Sequence, residues 1–221
     1  MSQNKIQALT DLPQPRLFKV NLSENEIASA ANFTGHANLL SLNLSKNKLV
    51  NLAGIHNMAR LTELNLSENE ITSLSLMRNL PNLKTLNLNT NKIEVLDDLP
   101  DLPALQNLDL QNNLIEKDGE LVKMIEFKKL DTLNWTGNPW ADEKGDDFKK
   151  EVLIACDVLA IKNVNEDEVT KEDIEEAKTE KAERIHAAKE AAEEARLEAE
   201  RIAAEKAEEE ANAAAAGEEE D

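Results

Sequence analysis

The chain has 221 residues, 31% of them charged, a formal net charge of −19 and a sequence pI of about 4.6. Such an acidic chain is poorly matched to nucleic acid or to an anionic membrane surface, so neither is expected as a partner. No N-terminal apolar stretch is typical of a signal peptide and none is long enough to span a bilayer. The sequence therefore predicts an intracellular chain.

An asparagine recurs every 22 residues in the first half of the chain, at Asn25, Asn47, Asn69, Asn91 and Asn113. Around each one lies the pattern L-x-x-L-x-L-x-x-N-x-[IL], read in one copy at Leu61, Leu64, Leu66, Asn69 and Ile71. This is the signature of the leucine-rich repeat. The chain resembles the 22-residue, phosphatase-regulator-like subclass of intracellular leucine-rich repeat proteins over residues 1 to about 165.

Each repeat predicts a short strand, because the two leucines of L-x-L lie on the same side of an extended chain and can enter a shared core. The asparagine follows where the chain turns inward, and its amide can pair with buried backbone donors and acceptors. Apolar residues then recur at every third position, which suits 3₁₀ turns or short helices. We expect an α/β leucine-rich repeat solenoid, with parallel strands on the concave face and 3₁₀ or short helices on the convex face, followed by a long charged α-helix.

Both ends of the array depart from the repeat. The apolar residues Ile6, Leu9 and Leu12 resemble the tail of a further repeat. Either the start is a shortened form, or these residues form an uncovered contact surface that a partner covers. The last copy has Trp135 in a leucine position, where we expect core packing. Asn138 and the segment after it resemble the C-terminal cap of this subclass, although Val164-Asn165 stands where that cap has Leu-Asp. A helix over about 146–158 would close the core.

The composition changes to Glu, Ala, Lys and Arg beyond Thr170, and Gly and Pro are absent from residues 170–216. Residues 1–140 hold 16 acidic and 13 basic side chains, whereas residues 141–221 hold 28 and 12. Thr170 and Asp173 resemble a capping box. Opposite charges recur four residues apart and predict the ion pairs Glu180–Arg184, Arg196–Glu200, Arg201–Glu205 and Lys206–Glu210. We predict one helix of roughly 45 residues, about 70 Å long at 1.5 Å per residue. Its few large apolar residues make no sustained heptad seam, so a self-standing coiled coil is not expected.

These boundaries divide the chain into four segments: leucine-rich repeats over 1–140 (a partial repeat and six copies), a cap over 141–169, a long charged helix over 170–216, and an acidic disordered end over 217–221. Two surfaces are candidates for binding. Solenoids bind through their concave face, where the outward residues include Asn43, Asn65, Asn87, Asp109 and Asn134. The second is a strip of the long helix that carries Ile185, Ala188, Ala192 and Ala195. The helix is either a rod that lies along another long helix or filament, or a solvated spacer.

The sequence holds no recognisable catalytic set, zinc-ligand spacing or phosphate-binding glycine loop, so no enzyme activity, cofactor or metal is predicted. The three histidines lie in different segments and are expected at the surface. The array, cap and charged helix resemble the layout of axonemal leucine-rich repeat proteins, especially that of the radial spoke. This resemblance implies a structural subunit of a ciliary or flagellar axoneme, in the cytoplasm and cytoskeleton. Its partners would be helical or extended segments of a large assembly, and the chain would not work as a free monomer.

Two alternatives remain open. One is a nuclear acidic leucine-rich repeat regulator that binds histones or a phosphatase, although such tails are nearly pure Asp and Glu, whereas Lys, Arg and Ala are interleaved here. The other is a regulatory subunit of an enzyme, similar to the axonemal dynein light chain of the same subclass. A helical tail favours the adaptor, and an unstructured tail favours the nuclear regulator.

Overall fold

A computed structural model describes residues 2–97 and 99–217 of the chain, with side chains described as far as residue 206. The chain folds as two compact units, residues 1–174 and residues 175–221. The first unit holds the repeats and the segments that close them, and the second holds most of one long helix. The predicted acidic end at residues 217–221 lies outside the described residues, except for Gly217.

The first unit is built on an eight-stranded sheet whose members are two or three residues long. In chain order the strands of the unit are β1 (Ala8–Thr10), β2 (Lys19–Asn21), β3 (Ser29–Asn32), β4 (Ser41–Asn43), β5 (Glu63–Asn65), β6 (Thr85–Asn87), β7 (Asn107–Asp109), β8 (Thr132–Asn134), β9 (Asn163–Val164) and β10 (Asp167–Glu168). The sheet order is β10-β9-β8-β7-β6-β5-β4-β2, and β1 pairs separately with β3. All pairs from β2 to β9 are parallel, which confirms the predicted solenoid.

The 22-residue spacing sets the strand register. Leu42 pairs with Leu64 and Leu64 with Leu86, so equivalent leucines lie side by side along the solenoid. Both leucines of each L-x-L are buried: Leu64 is 1% and Leu66 is 0% exposed. The alternation of side chains along the strand thus places every leucine of this type in one continuous core.

The convex side is made of single turns in the standard repeats. Ile55 donates its N–H to the carbonyl of Leu52, and Met77 donates to Leu74, in hydrogen bonds across three residues. These apolar residues fill the other wall of the core and are at most 2% exposed. Among the described residues of the repeats, helix occurs on this side only in the longer copy, where α1 (Gly119–Val122) and a 3₁₀ helix (Lys123–Glu126) lie before β8. Asn113 and Asn138 are 25 residues apart instead of 22, and the three extra residues supply the length for a helical turn.

The regular spacing of asparagine corresponds to a ladder of buried amides. Asn69 donates through Nδ2 to the carbonyls of Leu66 and Ser67 in its own repeat at 2.9 and 3.1 Å. It also donates to Leu44 of the preceding repeat at 3.0 Å and accepts from Leu49 N–H at 3.0 Å. The structural role predicted for this position is therefore confirmed, and each amide joins two repeats.

The residue before each ladder asparagine adopts a left-handed backbone, as in Lys46, Glu68 and Thr90 with φ of 55°, 53° and 57°. Side chains other than glycine rarely adopt this region, so the surrounding hydrogen bonds must hold the turn. In the last copy the position is Gly137, with φ of 74°. A Cβ there would lie 2.3 Å from Oδ1 of Asn112, so a larger residue at this position would require the Asn112 side chain to move.

The N-terminal residues continue the repeat pattern. Gln3 donates its N–H to the carbonyl of Ser23, and Ile6 N–H is bound by Oδ1 of Asn25. Ile6 and Leu12 are partly buried against the core, and Leu9 is only 2% exposed. The prediction that Leu9 belongs to an uncovered apolar surface is wrong, because the pairing of β1 with β3 carries it into the core.

The cap consists of α2 (Pro139–Lys144), a 3₁₀ turn (Gly145–Asp147) and α3 (Phe148–Ala155). The helix expected over about 146–158 is thus shorter, and a second helix precedes it. Trp140 and Phe148 pack edge to face with ring centroids 5.5 Å apart. Trp135 is 0% exposed, which confirms its predicted place in the core. Burial also raises the pKa of the Cys156 thiol to about 12, so this cysteine is an inert packing residue.

The long helix α4 (Lys171–Gly217) begins at the predicted capping box. Asp173 accepts from the Thr170 N–H at 2.7 Å, and the Thr170 hydroxyl accepts from Asp173 N–H at 3.2 Å. Lys149 of α3 adds an ion pair to Asp173 at 2.7 Å and donates to the Glu168 carbonyl. Hydrogen bonding from Lys149, together with the Thr170 N–H, lowers the pKa of Asp173 to about 2.

Asn69→Ala is expected to lower the free energy of unfolding by about 1–3 kcal/mol, because buried carbonyls and one N–H lose their partners. Chemical denaturation followed by circular dichroism measures the change. Glu94→Ala, at an exposed position of the neighbouring repeat, should change stability by under about 0.5 kcal/mol. Equal effects of the two substitutions would contradict the ladder.

Asp173→Asn is expected to destabilise the chain at neutral pH by up to about 1 kcal/mol, since the ion pair with Lys149 is partly exposed. The carboxylate is favoured in the folded state, so its contribution is complete above its ordinary pKa of 3.8 and is lost as the pH falls towards about 2. The difference in melting temperature between wild type and variant should therefore disappear between pH 4 and 2. Asp146→Asn, at an exposed cap residue, serves as the control, and a pH-independent difference for Asp173→Asn would argue against the ion pair.

Candidate functional site

The predicted concave residues end five successive strands and lie in one row. Asn43 pairs in register with Asn65, Asn65 with Asn87, Asn87 with Asp109, and Asp109 with Asn134. All five are partly exposed, because alternation along the strand directs them away from the leucine core. The structure thus brings together the first set of candidate residues.

In the first three residues of this row, the oxygen of each side-chain amide already accepts a hydrogen bond. Oδ1 of Asn43 accepts from Ser45 N–H at 2.9 Å, Oδ1 of Asn65 from the N–H of Ser67 at 3.0 Å, and Oδ1 of Asn87 from that of Asn89 at 2.9 Å. These asparagines therefore also have a structural role, because each one closes the turn that follows its strand. Their Nδ2 groups donate to no described protein group. At these positions the concave face therefore presents amide nitrogens as hydrogen-bond donors, while the amide oxygens are already bonded.

Asp109 occupies the same position with a carboxylate. One oxygen accepts from Gln111 N–H at 3.0 Å, so the local turn is kept without an amide. Burial raises the pKa of Asp109, and hydrogen bonds from Gln111 and the Asn89 side chain partly offset this effect. The row therefore changes from donor to acceptor between β6 and β7.

Asn134 ends the row differently. The N–H of Thr136, which would be its partner by analogy, is bound by Oδ1 of Asn165 at 3.2 Å. Asn165 also accepts from Trp135 N–H at 2.6 Å, a donor that in earlier repeats binds the backbone of the next strand. Oδ1 of Asn134 is left buried without a partner among the described residues. Asn134 is therefore not equivalent to the other candidates.

The flanking concave positions are polar, and two of them are hydrogen-bonded to each other. Their members are Ser41, Glu63, Thr85, Asn107 and Thr132. Asn107 donates to the Thr85 hydroxyl at 3.3 Å, and Asn163 of β9 donates to that of Thr132 at 3.4 Å. These contacts extend the polar surface onto the cap. In chemical terms the face can form hydrogen bonds but offers no nucleophile paired with a base.

Two features escaped the sequence reasoning. Phe18, directly before β2, is 47% exposed, and the Arg60 guanidinium lies 6.0 Å from its ring centroid. Glu120 is buried, accepts from Leu96 N–H at 2.6 Å and pairs with Lys123 at 2.9 Å. The contacts of Phe18 with Arg60 and of Glu120 with Leu96 join residues far apart in sequence, and the repeat pattern does not specify either Phe18 or Glu120.

The second candidate surface lies on α4. Ile185 is 47% exposed, and Ala188, Ala192 and Ala195 are also exposed. Spacings of three and four residues place them on one side of the helix. The predicted ion pairs Glu180–Arg184, Arg196–Glu200 and Arg201–Glu205 are confirmed at 2.9, 3.7 and 3.7 Å. The pair predicted between Lys206 and Glu210 falls outside the side chains that are described.

Two of the three histidines are not as exposed as the sequence predicts. His36 is buried and its Nε2 lies 3.0 Å from the Gln14 carbonyl, while His56 is partly buried with Nδ1 unpaired. Only His186 is well exposed, 3.3 Å from Glu190. Within residues 2–97 and 99–217, no three His, Cys, Asp or Glu side chains lie together as a metal site would require. Over the same described residues, no helix is both long and apolar enough to cross a bilayer.

Comparison with known proteins places repeats of the same kind in this chain. The family model "Leucine Rich repeats (2 copies)" matches residues 59–103. No protein of curated function matches the chain. Among 52 matching chains of solved structures, one belongs to the crystal structure of the Drosophila melanogaster SNF/U2A' complex. It is 17% identical, covers 77% of this chain and 92% of its own, and has a TM-score of 0.46.

The matched repeats and the parallel sheet define the fold class of the first unit, which is a leucine-rich repeat solenoid. Proteins of this class generally act as scaffolds that bind other proteins through an extended surface. The row on β4–β8 is polar and partly exposed, so it is the candidate surface for such contacts. The row has one residue per repeat, and this spacing restricts which partner structures can contact all of its residues.

Asn165 provides a test of the cap. Asn165→Gly keeps its left-handed backbone, with φ of 50°, but removes the acceptor for Trp135 and Thr136. We expect a loss of about 1–3 kcal/mol in the free energy of unfolding. Asn165→Asp keeps an acceptor oxygen and should cost clearly less. Equal losses for Gly and Asp would show that the oxygen does not close the array.

Proposed function

We propose that the chain is a non-catalytic structural subunit of an axonemal complex in cilia or flagella, of the radial spoke type. The observation that carries the proposal is a capped repeat array followed by a long helix with interleaved charges. This is the layout of the axonemal leucine-rich repeat proteins that the sequence resembles. The repeats support the general role of a protein-interaction scaffold, and the axonemal setting is the more specific proposal.

The helix α4 favours this role over the nuclear acidic regulator. Its exposed face carries opposite charges three or four residues apart, as at Glu193–Arg196 with 2.9 Å and Glu198–Arg201 with 2.8 Å. Such pairs support a helix in water. A nearly pure acidic tail would instead repel itself and remain unfolded. The proteins that co-purify with the chain distinguish a spoke subunit from a regulatory subunit similar to a dynein light chain.

The setting can be tested by expressing the tagged full chain in ciliated cells that lack the endogenous protein. Axonemes are isolated, extracted with salt and probed for the chain alongside spoke and dynein subunits. The proposal expects the chain in the axonemal fraction and in the same complex as spoke subunits. Retention in the nucleus with histones, or a purely soluble distribution, would contradict it.

Replacing both Ala188 and Ala195 with glutamate tests whether the strip on α4 contacts a partner. Glutamate is a good helix former, so helicity should remain nearly unchanged. Axonemal incorporation should fall at least tenfold, because bulk and charge would enter a closely packed contact. Glu193→Gln, at an exposed position outside the strip, is the matched control. If the double variant or a chain lacking residues 171–221 incorporates normally, the helix is a spacer and the array carries the binding.

A further inference from the structure

The hydrogen bonding of the concave row limits the kind of partner that can bind. Asn21, on β2, extends the row, since it pairs with Asn43 and its Oδ1 accepts from Ser23 N–H at 2.9 Å. We call Asn21, Asn43, Asn65 and Asn87 the amide row. In all four the oxygen is held by the N–H two residues later, and Nδ2 has no described protein partner. An amide nitrogen can only donate, so a partner must place acceptors opposite it.

The spacing of the amide row favours a helix over an extended segment. Neighbouring strands lie about 4.8 Å apart, so the four amides span roughly 14 Å. A helix has a pitch of about 5.4 Å and covers roughly 16 Å in three turns, close enough for one side chain per repeat. An extended chain presents alternate residues roughly 6.7 Å apart and would lose register after two repeats. A helix lying along the solenoid axis therefore matches the row.

The residue after the amide row gives the bound helix a direction. Asp109 lies in register with Asn87 and presents a carboxylate instead of an amide nitrogen. Burial disfavours its charged form, and a cationic group nearby would favour that form. Four donors followed by one acceptor is not a symmetric pattern. A helix with the complementary side chains can satisfy every position in only one orientation.

We infer that the concave face binds an α-helix of a partner protein that carries carboxylates on four successive turns, opposite the amide row, and a lysine or arginine on the fifth, opposite Asp109. The inference rests on the proposed scaffold function and adds the chemistry of the partner. Contacts of this kind are short hydrogen bonds to a charged acceptor, which are stronger than those between neutral groups.

Two synthetic helical peptides test the pattern against the full chain. The patterned peptide has glutamate at positions 1, 5, 8 and 12 and arginine at 15, with alanine and glutamine elsewhere. The control has the same composition with the glutamates distributed around the helix. We expect at least tenfold tighter binding of the patterned peptide by calorimetry, together with shifts of the side-chain NH₂ resonances of Asn43, Asn65 and Asn87.

The variants replace the side-chain NH₂ of the amide row, a donor, with a carboxylate oxygen, an acceptor. The other side-chain oxygen remains and can still close the turn. Asn65→Asp and the triple change Asn43→Asp, Asn65→Asp and Asn87→Asp keep an oxygen for the N–H two residues later, as Asp109 does. The single variant should bind severalfold and the triple variant at least tenfold more weakly than wild type, with unchanged circular dichroism. Asn51→Asp is the matched control, because its Oδ1 also accepts from the N–H two residues later, at Ala53, but outside the concave strands.

The direction is tested separately with Asp109→Asn, which should remove the preference for arginine over glutamine at position 15. Equal binding of patterned and control peptides, no binding of the patterned peptide, or wild-type binding by the triple variant would each overturn the inference. Axonemal incorporation of the full chain despite any of these results would leave the proposed function standing and place its contacts on another surface.

Discussion

The buried asparagine ladder is the interaction on which the repeat array depends. A chain that turns inward every 22 residues leaves polar backbone groups without water, and each must find a partner. Asn69 meets this requirement in two repeats at once, through Leu66 and Ser67 of its own copy and Leu44 and Leu49 of the one before. Every copy therefore completes its neighbour, and no copy is complete alone. This dependence explains why the spacing is the same in all the standard copies.

The same dependence explains the cap. The ladder ends at Asn138, which is fully buried. Its Nδ2 donates to the carbonyls of Leu110 and Trp135, and its Oδ1 accepts from the N–H of Ile115. The final strand still needs the acceptors that a next copy would supply, and Oδ1 of Asn165 provides one for Trp135. The helix α4 has no such requirement, since a helix satisfies its backbone internally. The repeat array therefore needs adjacent copies to satisfy its backbone hydrogen bonds, whereas the long helix satisfies its own.

Sequence reasoning succeeded where a contact is set by a repeated local pattern. The period predicted the strands, the asparagine ladder and the core position of Trp135, and a local motif predicted the capping box at Thr170. Prediction failed where the partner is distant or specific to one copy, as for Asn134, whose expected donor is taken by Asn165, 29 residues after that donor. The occupied oxygens of the amide row were also missed. The composition of a strand does not show that its asparagine bonds the N–H two residues on.

The two candidate surfaces share a property that bears on how the chain binds. Interface hot spots are usually aromatic or arginine side chains in dry pockets. This chain has no tyrosine, both tryptophans are buried, and exposed Phe18 already has Arg60 over its ring. The amide row and the alanine strip offer many modest contacts instead. Modest contacts yield firm attachment when several act together, because the second binding event becomes intramolecular. The large assembly proposed above would supply several such contacts at once.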